Sequence, residues 1–258
     1  MITYKNEAEI AKIRAAGRIL FEAMQEVKAA IRPGISTYDL DQIAEKAIVQ
    51  RGGRPSEKGY NGYPGSICAS IDEEVVHGIP LKARILKEGQ IVSIDCTVEK
   101  DGYQADMART FAVGEIPEET KLFMERTRQA FYEGIRYAKD GYRIGDISST
   151  IQNYVESFGY GVVRVLCGHG IGQEMHEDPE VPNFGTAGRG VRIRPGLVIA
   201  VEPMTTISGV YDVYRKRDRW TYVTKDHSLA AHYENTICVT PDGEPEILTI
   251  PSDAKEDV

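Results

Sequence analysis

Four carboxylates and one imidazole carry the chemistry this chain could do: Asp95, Asp106, His169, Glu202 and Glu234. Asp95 lies within Ile91-Val-Ser-Ile-Asp-Cys-Thr-Val98, a strand-forming run in which a carboxylate is out of place. Asp101-Gly102 then marks a two-residue hairpin turn, and the returning strand brings Asp106. With that turn Asp95 faces Ala108, and Asp106, two residues from Ala108, points to the same face of the sheet. Two carboxylates converging there repel unless a proton or a cation stands between them. His169 sits in Cys167-Gly-His-Gly-Ile-Gly172, where glycines permit close backbone approach. Glu202 follows the apolar run Leu197 to Val201, and Glu234 opens a run ending at Thr240. Singly, each is ordinary: a polar-face aspartate, a satisfied histidine, a strand-end glutamate reaching solvent. Together they form an oxygen-rich, hard donor set. It suits Mn²⁺, Fe²⁺, Co²⁺ or Zn²⁺ and holds too much carboxylate for a structural zinc. Bridging carboxylates would hold two ions roughly 3.5–4 Å apart, the spacing of two-metal hydrolases.

The elements that must position these groups follow from periodicity. Ile10, Ile13, Gly17, Leu20, Met24, Val27 and Ile31 recur at steps of three and four, the pattern of an amphipathic helix ended by Pro33-Gly34. Ser36 with Asp39 forms a capping box for a second helix that stops at Gly52-Gly53. Strands are expected at Ser66 to Ser70, Gln90 to Glu99 and Tyr103 to Val113. The order then returns: a helix from Glu118 to Lys139, another through Ile147 and Val155 to Gly159, then strands near Val162 to Leu166, Leu197 to Val201, Trp220 to Thr224 and Glu234 to Thr240. Gly34, Asp39 and Leu40 match Gly141, Asp146 and Ile147 at one offset of 107. That echo points to two related halves, approximately 1–113 and 114–258, within a single catalytic domain.

Gross composition narrows the class. The 258 residues are 41% hydrophobic and 27% charged, ordinary for a globular α/β or α+β chain. A net charge of -8 argues against nucleic-acid or membrane-surface binding. The polar, acidic start lacks the pattern of a secretory signal, and no apolar run spans a bilayer. Four scattered cysteines without a Cys-x-x-Cys pair fit a reduced, cytoplasmic protein.

The order Asp-x₁₀-Asp…His…Glu…Glu, joined to Val76-His77-Gly-Ile-Pro80, Gly168-His169-Gly-Ile-Gly172, Met175-His176-Glu-Asp-Pro179 and Glu202-Pro203-Met204, resembles type I methionine aminopeptidase across essentially the whole chain. The resemblance implies the α+β pita-bread fold, two pseudo-symmetric halves around a central antiparallel sheet. It implies that Asp95, Asp106, His169, Glu202 and Glu234 hold two divalent metal ions, with Asp106 and Glu234 bridging. Water bound between the cations becomes hydroxide near neutral pH and attacks the first peptide bond, with Glu202 as general base and then acid. By the same resemblance His176 contacts the scissile carbonyl and His77 the scissile amide nitrogen. Tyr60, Tyr63, Cys68 and Trp220, with Met175 beside them, form the pocket for the methionine side chain. The implied substrates are nascent polypeptide amino termini, and the chain is expected to act as a monomer.

Some residues depart from the family pattern. Met175 stands where many relatives have phenylalanine, and Glu57 where some have cysteine. The stretch Ile207 to Arg219, with Arg215, Lys216, Arg217 and Arg219, reads as a solvated hairpin, ribosome contact being the alternative for its basic cluster. The nearest rival function is a proline-specific peptidase of the same fold, which normally carries an extra amino-terminal domain. A non-catalytic peptide-binding module of that fold usually loses metal ligands, and all five are present here. Phosphoryl hydrolysis lacks its Gly-rich phosphate loop and Arg clamp.

Overall fold

In the computed structural model, which describes residues 1–254, the first helix, α1 (Glu7–Ala30), begins at a capping box: Asn6 accepts from the Glu9 N–H, and Glu9 accepts from the Asn6 N–H. The apolar stripe of α1 is buried, from Ile13 through Leu20 to Val27. The box at Ser36 and Asp39 starts α2 (Thr37–Gln50). Helix α1 packs on the hairpin formed by β1 (Ile91–Lys100) and β2 (Tyr103–Ala112), and α2 packs on α1 and on Arg54–Pro55. Its turn places Asp101 and Gly102 at φ 52° and 80°, the left-handed pair that a tight two-residue connection demands. Ile94, Cys96, Val98, Ala105 and Met107 join the helices in one hydrophobic core. Alternation sends Asp95, Thr97, Asp106 and Ala108 to the other face.

The second half supplies α3 (Glu118–Ile135), α4 (Ile144–Glu156), β3 (Gly168–Gly170), β4 (Glu177–Val181), β5 (Val198–Val201) and β6 (Glu234–Cys238). The main sheet runs Arg54–Pro55, β1, β2, β6, β5, β3, β4, all neighbours antiparallel. Cys68–Ile71 adds to β1, and Glu246–Ile247 to β6. The halves therefore meet along the β2–β6 seam. A second core, around Phe123, Phe131, Ile147, Ile151 and Ile199, backs the second half.

Duplication is visible in the main chain itself. The bridge Ser36–Ile85 recurs as Arg143–Arg192, each partner displaced by 107 positions. The bond from Thr37 N–H to the Arg84 carbonyl recurs from Ile144 N–H to the Val191 carbonyl, at 2.8 and 2.9 Å. Gly34 and Gly141 share φ near +90°. A turn requiring that conformation before a capped helix explains why glycine stands at both places.

Some elements differ from the expected bounds. The helix expected to reach Lys139 ends at Ile135, where i→i+3 bonds from Tyr137 and Ala138 tighten the chain. The strand expected from Trp220 starts at Tyr222, because Asp218 accepts from the Trp220 and Thr221 N–H groups and turns the chain there. The segment expected from Val162 to Leu166 pairs only as Gly161–Val162. Two small three-stranded sheets complete the framework: Gly161–Val162, Met204–Thr206 and Ala230–His232, and Glu74–Val76, Tyr222–Thr224 and Val213–Arg215. Among the described residues no helix is long and apolar enough to cross a membrane.

Candidate metal centre

Register builds the site. Asp95 pairs with Ala108 on β2, and Ala108 pairs with Glu234 on β6, so Asp95 and Glu234 flank one small residue at a single level of the sheet. Asp106, opposite Thr97, lies two residues from Ala108 on the same face. Alanine between two carboxylates leaves room above it that a longer side chain would fill. Glu202 follows β5 immediately, while β3 carries His169. First-half and second-half ligand candidates thus meet at the seam where the halves join.

Distances between these groups are short. The His169 Nε2 atom is 3.8 Å from Asp106 Oδ2 and 3.7 Å from Glu202 Oε1. Asp106, His169 and Glu234 offer one donor atom each, all within 4.8 Å of one another. His169 Nδ1 lies 2.9 Å from the Gly170 carbonyl, which fixes the ring and leaves Nε2 free as a donor to a cation. All of these carboxylates except Asp95 are nine-tenths buried or more. Burial, then the charges of Asp106 and Asp95, holds the Glu202 and Glu234 carboxyls well above the usual range. Burial and Asp106 do the same to Asp95.

A cation fits this set by a test the atoms themselves supply. Asp106 Oδ1 and Glu234 Oε1 are buried with no hydrogen-bond partner. Unpaired buried carboxylate oxygens are costly, and each like-charge pair about 4 Å apart adds on the order of 4 kcal/mol at an effective dielectric near 20. Such repulsion is large beside the whole stability of a typical domain, about 5–15 kcal/mol, so the group needs protons or cations to stand together. Divalent cations remove both costs together.

Around the centre stand the other residues singled out from the sequence. The His176 ring is 4.3 Å from that of His169, and the Tyr60 hydroxyl is 2.9 Å from His176 Nδ1. His77 adopts a left-handed backbone, φ 59°, which is strained for a residue with a Cβ. Burial pushes its pKa down to about 4, keeping the ring neutral. Its ring meets Trp220 edge-on at 6.4 Å, and Trp220 meets Tyr63 edge-on at 5.0 Å. Tyr63 is anchored by donating to the Gly78 carbonyl at 3.0 Å. Cys68 pairs directly with Asp95. Tyr60, partly exposed, stands at the rim. Met175 is buried.

Two residues at the centre escaped the sequence reading as donors. His232 is buried, with Nε2 at 3.5 Å from Glu234 Oε2 and 3.8 Å from Glu202 Oε2, and neither ring nitrogen has a hydrogen-bond partner. The alternation His232-x-Glu234 was the available signal. Glu57, noted only as a departure beside the pocket, reaches Asp95 and Asp106. A cavity of about 560 Å³ lies on the helix side of the sheet, lined by Phe21, Met24, Phe111 and Met124 and reaching His232.

A buried carboxylate–imidazole cluster at the seam of a duplicated α+β fold defines a pita-bread metallopeptidase. The model of metallopeptidase family M24 matches residues 11–241. A methionine aminopeptidase of Clostridium acetobutylicum is 53% identical over 97% of this chain and 99% of its own length. The crystal structure of a methionine aminopeptidase from Thermotoga maritima superposes with a TM-score of 0.94 at 43% identity, covering 96% of this chain and 99% of that one. A prolidase from Pyrococcus furiosus shares the fold alone, with a TM-score of 0.76, 21% identity, and 96% of this chain against 66% of its own. The chain belongs to metallopeptidase family M24 and, within it, to the methionine aminopeptidases.

Proposed function

We propose that this chain removes amino-terminal methionine from nascent proteins and peptides whose second residue is small. In this reading Asp95, Asp106, His169, Glu202 and Glu234 hold the two divalent cations. The observation that carries the reading is the convergence of these side chains, with unpaired buried oxygens on Asp106 and Glu234, beside an aromatic pocket. When bound, such a pair of cations generates a nucleophile from water near neutral pH and polarises the scissile carbonyl.

The chain's own residues supply the rest. Glu202, made basic by burial and by like-charged neighbours, accepts a proton at a carboxylate oxygen and passes it towards the leaving amine. The Tyr60 hydroxyl lies 2.9 Å from His176 Nδ1; in the tautomer where it donates there, Nε2–H is left to donate to the carbonyl oxygen as charge develops. His77, set edge-on to Trp220 and held neutral by burial, presents its ring towards the scissile amide. Tyr63, Cys68 and Trp220, with Tyr60 at the rim, take the thioether, which packs well against rings. The four free cysteines fit action on newly made chains in the cytoplasm.

A pocket for one side chain, set against buried carboxylates, leaves little space for the second residue. Manganese-loaded enzyme should therefore cut Met-Gly, Met-Ala and Met-Ser termini and largely spare Met-Leu, Met-Lys and X-Pro peptides. Equal rates across that series, or leucine released as fast as methionine, would refute the pocket assignment.

A further inference from the structure

Glu57 is a carboxylate at the centre for which the two-ion reading has no task. It follows the short strand Arg54–Pro55, which pairs with β1 through Arg54 opposite Glu99 and Pro55 opposite Val98. That pairing carries the chain alongside Thr97, whose main-chain N–H donates to Glu57 Oε1. The strand that bears Asp95 therefore also aims Glu57. Its other oxygen, Oε2, is buried without a hydrogen-bond partner, and the residue as a whole is 8% exposed. Glu57, Asp95 and Asp106 each bring one oxygen to within 4.8 Å of the other two.

A scaffold role accounts for half of this arrangement. An uncharged acceptor would satisfy the Thr97 N–H equally well, without a third negative group beside two others. The remaining oxygen is the one that needs explaining, because a buried carboxylate without a counter-charge or a donor is expensive. Oxygens on opposite sides of a cation, each about 2.2 Å from it, lie roughly 4.4 Å apart. The three oxygens of this trio all lie within 4.8 Å of one another, a span that one cation with small adjustments of the side chains can bridge. Asp106 Oδ1 is also buried and unpaired.

We propose that Glu57 is a further protein ligand of the centre, giving its free oxygen to the divalent cation held by Asp95 and Asp106. The inference rests on the two-ion reading above. It makes the two sides of the centre chemically unequal. Glu57 adds a hard oxygen donor to the Asp95 side, which lowers that side's bias towards softer ions, while the other side keeps the imidazole of His169.

The test is calorimetric titration of metal-free full-length protein with Mn²⁺ and, separately, Zn²⁺, for wild type, Glu57→Gln and Glu57→Asp. Losing an oxygen ligand should weaken one of the two Mn²⁺ equivalents on the order of 10–100-fold, as second-sphere losses already do, and leave the other near its wild-type value. The ratio of Mn²⁺ to Zn²⁺ affinity at the weakened site should fall with it. Glu57→Asp, which keeps the charge but withdraws it by one methylene, should weaken the same equivalent less. Melting of the metal-free forms checks the fold: Glu57→Gln should melt no lower than wild type, since a repelled charge has gone, while its rise in Tm on adding Mn²⁺ should shrink. Wild-type affinities for both equivalents in both variants overturn the assignment, as does a lower metal-free Tm with unchanged affinities, the mark of a scaffold role. If wild type itself binds fewer than two ions, the two-ion reading fails instead, so the failures are distinguishable.

Discussion

His176 and Glu202 both touch His169, the first by its ring at 4.3 Å and the second by Oε1 at 3.7 Å from Nε2, yet they should fail differently when removed. A donor to a developing oxyanion strengthens only as charge builds up, and its loss typically costs ~10²–10³ in turnover, roughly 2.7–4 kcal/mol. His176→Ala should thus lose kcat, keep its metals and leave KM nearly unchanged. Glu202→Ala, ligand and base together, should lose metal affinity and rate at once. Elemental analysis beside steady-state kinetics decides, and a His176→Ala enzyme with normal kcat, or without its metals, defeats the oxyanion role. At this scale the sequence was readable where a local rule fixed the geometry. Asp101-Gly102 set the hairpin register, and Asp95 opposite Ala108 followed from it. His232 was missed because the strand was taken to open at Glu234, whereas Ala230–His232 is a separate strand paired with Met204–Thr206. Glu57 was missed because a two-residue strand, held only by pairing to β1, leaves no periodic trace.

Among the elements, the hairpin from Val213 to Thr224 has two ends with different expected duties. Its tip is solvent-facing: Arg215, Lys216, Arg217 and Arg219 are exposed, and only the Lys216 ammonium reaches back, to Glu74 Oε1 at 2.7 Å. Its base puts Trp220 against Tyr63 and His77. Replacing Arg215, Arg217 and Arg219 by glutamine should leave kcat/KM on Met-Ala-Ser unchanged and shift stability by no more than about 0.5 kcal/mol. Trp220→Ala should lower kcat/KM roughly tenfold or more, mainly through KM, because it would open the wall of the proposed methionine pocket. A loss of peptide activity in the arginine triple variant would show that the tip, too, shapes the cleft. Long helices were legible because caps and three-four periodicity are local properties, as at Asn6, Ser36 and the buried stripe of α1. Three-residue strands such as Glu74–Val76 and Val213–Arg215 were not, since their partners are distant in sequence and three residues show no period.

For the molecule as a whole, the repeat and the centre are one design. The β2–β6 seam joins the halves, and each half brings its own ligand candidates to it: Asp95 and Asp106 from the first, His169, Glu202 and Glu234 from the second. The offset of 107 was faint in the sequence, three matches among many differences, because side chains diverge while turns and bridges persist. In the main chain it recurs in bridges, hydrogen bonds and a paired positive φ. Cations at that seam should therefore act as a clamp as well as a catalyst. Binding to the folded state alone stabilises by about 2.7 kcal/mol when free metal is 100 times its Kd. For a chain of this size each kcal/mol moves Tm by roughly 2–4 °C, so saturating Mn²⁺ should raise Tm by ~5–11 °C over the chelated protein. Activity should vanish on chelation and return with Mn²⁺, Fe²⁺ or Co²⁺, since the proposed nucleophile is water and not a side chain. Calorimetric melting and peptide turnover on the same chelated and reloaded samples test both claims. Full activity in protein shown to be metal-free, or a melting point indifferent to metal, would leave the buried carboxylates at the seam without their counter-charge and the two-ion reading without support.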